Sequence, residues 1–151
     1  MISRILVGHD DTAGASAAFA FAIDLARHYD AELHVLSVAR PPKFGEEVET
    51  EAFVEQATGR IDASLAELRA AARGVDVRFD VATGHPADQL VLYAEQHGID
   101  HLVVGHRGHA HFDELFVSSV ARRLIAHAPC GVSIIGPGAP PAGSGSRSER
   151  A

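Results

Sequence analysis

The chain has 151 residues, the span of one ordinary domain, and its 46% hydrophobic and 22% charged content is that of a globular protein, not a disordered one. Lys and Arg number 13 against 20 Asp and Glu; the resulting charge of −7 excludes a general binder of nucleic acid or anionic membrane, since both need a positive surface, but leaves room for one local anion site. A single Cys excludes an internal disulfide and fits a reducing cytoplasm, and no apolar stretch approaches the ~20 residues that cross a bilayer.

In chain order, the opening MISRILVGHD has no secretory apolar region and reads as a strand, Arg4 to Gly8. From Ala15 to Tyr29, apolar residues at Ala15, Ala18, Phe19, Ala22, Leu25, Ala26 and Tyr29 form the stripe of a helix packed on one face. Leu33 to Val38 is the second strand, and Arg40 to Thr50 reads as a long mobile loop. A second helix is expected over Thr50 to Ala72, closed by Gly74 as a left-handed cap. Val75 to Val81 alternates strictly, the mark of a strand with one wet face or an edge position. Pro86 to His97 is a helix opened by a first-turn Pro and ended by Gly98. Leu102 to Gly105 is the fourth strand, Phe116 to His127 a helix ended before Pro129, and Val132 to Ile135 the fifth strand. The alternation of strands and helices predicts an α/β fold with a parallel sheet and right-handed crossovers, covered on both faces. The domain is expected over residues 1–136. The Pro-, Gly- and Ser-rich stretch 137–151 is expected to be a disordered tail.

Ligands in such sheets bind at the carboxyl ends of strands where the strand order reverses, so the segments after strands one and four are the places to search. Strand four runs into Gly105-His106-Arg107-Gly108, followed after nine residues by Ser118-Ser119-Val120. Two glycines three apart let backbone N–H groups approach an anion, and free N–H groups and hydroxyls near a helix start favour a phosphate. Strand one runs into Asp10-Asp11-Thr12, and one of these three caps the first helix. A carboxylate at Asp10 could instead accept hydrogen bonds from a ribose or base.

With these pieces in place, the chain resembles the universal stress protein family over residues 2–136. The resemblance is carried by Ile5-Leu6-Val7 followed by Asp10, by Ala31 to Val38, by Gly84-His85-Pro86-Ala87, by Asp100 to Gly108, by Ser119-Val120-Ala121 and by His127-Ala128-Pro129-Cys130. It implies a three-layer α/β/α, Rossmann-like domain of the adenine nucleotide alpha hydrolase type. The five parallel strands would be ordered 3-2-1-4-5, and the protein would form a homodimer through the last strand and act in stress tolerance. It further implies an ATP site, with Mg²⁺ as a companion ion. In that site Gly105 and Gly108 face the phosphates and ribose, Ser119 and the Val120 backbone meet the phosphates, Asp10 lies near adenine and ribose, and Val38 and Val104 contact adenine. Ser118 is the departure, since the ATP-binding pattern has Gly there.

Ten histidines are many for this length, and His106, His109 and His111 crowd one loop. They have neither a thiol nor a helical i, i+4 pair to complete a metal site, and they read as exposed loop residues. Protonated, His106 or His109 could join Arg107 in attracting phosphate, and His9 and His85 fall at strand ends beside the same cleft. His106 to His109 also spells the H-x-G-H of nucleotidyltransferases, but in those enzymes the motif opens the first helix, whereas here it follows strand four. Cys130 reads as a packing residue and Arg122-Arg123 as exposed helix positions. A Walker-type phosphate loop is absent, and no catalytic acid, base or nucleophile is assignable. Three readings follow: a cytoplasmic, adenine-nucleotide-binding regulatory module; a nucleotide-free protein of the same fold acting through its dimer surface; and a small adenylyl or phosphoryl transferase using His106 and His109.

Overall fold

A computed structural model describes residues 1–9, 13–39, 55, 59, 66–106 and 119–136. Its elements are β1 (Arg4–His9), α1 (Ala13–Tyr29), β2 (Glu32–Ala39), the helical residues 66–71 that we label α2, β3 (Val77–Thr83), α3 (Pro86–His97), β4 (His101–Gly105), α4 (Ser119–His127) and β5 (Gly131–Ile135). The expected mobile loop at 40–50 and the expected tail at 137–151 lie outside the described residues.

All five strands are parallel, in the order β3-β2-β1-β4-β5, so the expected topology is observed. β1 is the central strand, and Ile5, Leu6 and Val7 are all completely buried. Successive side chains of a strand point to opposite faces, and the core divides accordingly. Ile5, Val7, Leu33, Val35 and Val103 pack with Ala18, Phe19, Ala22, Ile23 and Ala26 of α1. Leu6, Leu36, Leu102 and Val104 pack on the other face with Ala87, Leu90, Tyr93 and Ala94 of α3 and Leu124 of α4. Strands wedged between two such layers are apolar on both sides, which explains why β1, β2 and β4 read as continuous apolar runs.

β3 is an edge strand, as its alternation suggested, but it is displaced two residues from the expected range. Val75 still belongs to the turn that ends α2, its N–H donating to the Ala72 carbonyl. Pairing then begins at Leu33 with Val77 and runs on to Ala39 with Thr83. α3 matches its expected limits. Pro86 stands in its first turn, and Gly98 ends it in the left-handed conformation (φ 60°), its N–H donating to the Ala94 carbonyl. The lower ends of β1 and β4 are tied by Asp100, whose Oδ2 accepts from the Ser3 and Arg4 amides at 2.8 and 2.9 Å. Those two donors hold the Asp100 carboxyl below its ordinary value.

Candidate functional site

Strand order reverses between β1 and β4. β1 leads into α1, which covers one face, and β4 leads to α4, which packs on the other face beside α3. The carboxyl ends of β1 and β4 are therefore the topological switch point, the position where ligands enter open α/β sheets.

Five of the eight nucleotide-site residues singled out in the sequence are described. Val38 is near the end of β2, Val104 and Gly105 close β4, and Ser119 and Val120 open α4. Val104 belongs to the core layer under α3 and α4, and Val38 and Val120 pack against the same layer from its margin. The structure therefore brings two strand ends and a helix start to one face and one end of the sheet. Asp10, Gly108 and Ser118 lie outside the described residues, as do Arg107, His109 and His111.

Gly8 allows close packing near the carboxyl end of β1, a role the sequence alone did not reveal. It pairs with Leu36 of β2. A Cβ placed on Gly8 would stand 3.3 and 3.4 Å from the two terminal carbons of Leu90 and 3.5 Å from a methyl of Val104. The missing side chain is thus what admits Leu90 between β1 and β4. The signal was a Gly inside an apolar central strand, which often marks close approach by a neighbour.

Two helices open at this end of the sheet. In a parallel sheet the helices α3 and α4 begin at the carboxyl end, so their N-terminal amides and positive dipole ends lie there. Arg123 adds a cation to that end. Its Nη1 lies 3.4 Å from Asp88 Oδ1 and donates to His85 Nδ1 at 3.3 Å, joining α4 to the start of α3. His85 occupies the α3 cap position without a side-chain capping bond, so its ring is engaged by Arg123 instead. Gly84, just before it, has φ 136°, a conformation essentially reserved for Gly, and its N–H donates to the Ala39 carbonyl. His106 extends the ladder beyond β4, its N–H donating to the Ile135 carbonyl at 2.8 Å. Cys130 is half-buried against the α3/α4 layer, and burial pushes its thiol up, as befits a packing residue. Among the described residues, no group of three or more His, Cys, Asp or Glu could hold a metal ion, and no helix is long and apolar enough to cross a membrane.

Comparison with known proteins agrees with this architecture. The profile of the universal stress protein family matches residues 1–136. The chain belongs to the universal stress protein family. It is 28% identical to the universal stress protein YxiE of Bacillus subtilis over 150 residues, covering 89% of this chain and 99% of that protein. A universal stress protein crystallised with cAMP superposes with a TM-score of 0.71 at 23% identity, over 89% of this chain and 97% of that one. A universal stress protein family protein from Arabidopsis thaliana, At3g01520 with AMP bound, gives a TM-score of 0.61 at 20% identity, over 89% and 91% of the two chains.

Proposed function

We propose that this universal stress protein is a cytoplasmic regulatory module that binds an adenine nucleotide, ATP with Mg²⁺ foremost, at the carboxyl ends of β1 and β4. The observation that carries the reading is the reversal of strand order between β1 and β4, with Val104 and Gly105 at the end of β4 and with Val38 and Val120 packed against the same layer as Val104. In this arrangement Val38, at the margin of the core layer, and the strand end at Val104 face the base. The Gly105 to Gly108 loop and the start of α4, with the Ser118 and Ser119 hydroxyls, receive the phosphates. Asp10 takes hydrogen bonds from the sugar. Similar proteins of this fold have been crystallised with cAMP and with AMP, which supports an adenine nucleotide as the ligand class. The function requires binding and not turnover, and any hydrolysis would be slow. β5 has β4 as its only neighbour in the described sheet, and we assign its free edge to pairing with a second copy.

Calorimetric titration of the purified full chain with ATP and Mg²⁺ tests the reading. Binding heat and a rise in unfolding temperature are expected, both lost in Gly108→Leu, where a bulky side chain replaces close backbone approach. Absence of heat and of any thermal shift with ATP, AMP and cAMP would overturn it. Ser118, standing where the ATP-binding pattern has Gly, favours a second reading, in which the same fold is nucleotide-free and acts through its dimer surface. Native mass spectrometry separates the two by the presence or absence of a co-purifying nucleotide.

A further inference from the structure

A second polar cluster lies towards the opposite end of the sheet, on the face that α3 covers. His34 of β2 is 2% exposed, and with Tyr93 of α3 it supplies the polar side-chain groups among the buried described residues. Its Nδ1 is 2.7 Å from the Tyr93 hydroxyl of α3, and that hydroxyl donates to Asp80 Oδ2 of β3 at 2.6 Å. On the other side of the ring, Nε2 is 2.9 Å from Glu32 Oε1, with no hydrogen bond formed between them. Other charged and titratable groups face this chain from each neighbouring element. Arg4 of β1 lies with its Nε 3.8 Å from Glu32 Oε2. Arg78 of β3 is the register partner of His34. His97 of α3 stacks on the Tyr93 ring at 3.8 Å, with its own ring centre 5.8 Å from that of His34.

A count of protons shows what this arrangement lacks. Three short contacts link four groups, and each needs one hydrogen between its two polar atoms. Tyr93 has one hydrogen and gives it to Asp80. Its oxygen can then only accept from His34, so Nδ1 carries the imidazole hydrogen. A neutral imidazole has one N–H, which leaves Nε2 presenting a lone pair to a carboxylate oxygen. With both carboxylates ionised, the chain holds two protons for three contacts. A third proton, on Nε2, would complete it.

We propose that Glu32, His34, Tyr93 and Asp80 form a proton-accepting relay that joins β2, β3 and α3 and takes up a single proton as the surroundings acidify, making this end of the sheet an acid sensor. Burial is the strongest influence on His34 and holds it below the ordinary 6.5; Glu32 pulls it up, while Arg78 and His97 push it down. The relay is therefore in its neutral-imidazole state at pH 7. An unfolded chain would protonate His34 near 6.5, whereas the folded chain does so only at lower pH. The relay's contribution to stability is thus complete above 6.5 and is lost as pH falls towards the folded value. Uptake converts a lone-pair contact into an ion pair, draws Glu32 from Arg4 towards His34, and charges a ring held between strand and helix. The proposal is independent of nucleotide binding.

Nitrogen-detected NMR of the histidine rings in the full chain, titrated from pH 8 to 4, tests it in the native protein and in Glu32→Gln. Glu32 is only partly buried at the start of β2, so the variant keeps the core intact. At pH 7, His34 is expected as the Nδ1–H tautomer, opposite to the preference of free histidine. It should gain one proton on Nε2 with a midpoint below 6.5 that the Tyr93 ring signals share. In Glu32→Gln, the midpoint should move down by on the order of one pH unit, because the charge that favours imidazolium is gone. An Nε2–H tautomer at neutral pH, a midpoint at or above 6.5, no titration down to pH 4 in the native protein, or an unmoved midpoint in Glu32→Gln would overturn the relay.

Discussion

Substitution at Gly8 separates the steric reason for a glycine from the conformational one. Gly8 lies inside β1 with an ordinary extended backbone, so a side chain meets no torsional penalty there. What it meets is Leu90 at 3.3 Å, slightly inside the 3.5–4.0 Å at which carbon atoms sit comfortably. In Gly8→Ala the new methyl gains about 0.8 kcal/mol of burial. Reduced freedom of the unfolded chain adds about 0.5–1 kcal/mol. The displacement of Leu90 by a few tenths of an ångström opposes both at similar size, and the net change is expected within about 1 kcal/mol of zero. Gly8→Val keeps those gains and adds two carbons to a space already filled by Leu90 and Val104, at a cost of about 1–3 kcal/mol for overpacking. Urea unfolding at constant slope should therefore rank Ala near the native protein and Val below both. Thermal midpoints should separate Ala from Val by roughly 2–12 °C for a chain of this length. A Val variant as stable as the Ala variant would refute the claim that Leu90 occupies the place of the missing side chain.

Two further outcomes concern the packing and the ends of the strands. Leu124, fully buried where α4 meets the sheet, should cost about 2–5 kcal/mol as Leu124→Ala, read by urea unfolding; a loss under 1 kcal/mol would mean that α4 is not anchored there. Asp100→Ala removes the acceptor for the Ser3 and Arg4 amides and should cost about 1 kcal/mol at pH 7. Because the fold lowers the Asp100 carboxyl, its contribution is present above the ordinary value of 3.8 and is lost as pH falls through the depressed one. The gap between native and variant should therefore narrow in strong acid, and a gap constant with pH would contradict the assignment.

Much of the fold was legible because the physics that made it is local. Pro86 and Gly98 bracket α3 through a missing N–H and a left-handed φ, both properties of single residues, and the helix ends where they place it. β3 was misplaced by two residues because its limits are set by its partner. Leu33 and Ala39 of β2 decide where pairing starts and stops, and no residue within Val75 to Thr83 announces it. The reversal of strand order between β1 and β4 was readable from the alternation of elements and the resemblance. The proton relay was not. Leu33-His34-Val35-Leu36 looks like any buried strand, and its histidine finds Tyr93 from 59 residues away and Asp80 on the neighbouring strand only once the chain is folded. A polar residue in a doubly covered strand was the available sign, because such a residue must find partners.

The central position of β1 carries a consequence for how the chain is made. Its β2 neighbour emerges early, but its β4 neighbour emerges last but one, and the Arg4 amide waits for a carboxylate 96 residues later. At about 5–20 residues per second of synthesis, one flank of Ile5-Leu6-Val7 stays unpaired on the ribosome for roughly 5–20 s. A fully buried apolar segment thus waits long for its second partner, and long-range parallel pairing is intrinsically slow to form. Yield in a crowded cell should depend on whatever shields that nascent edge until residue 101 arrives.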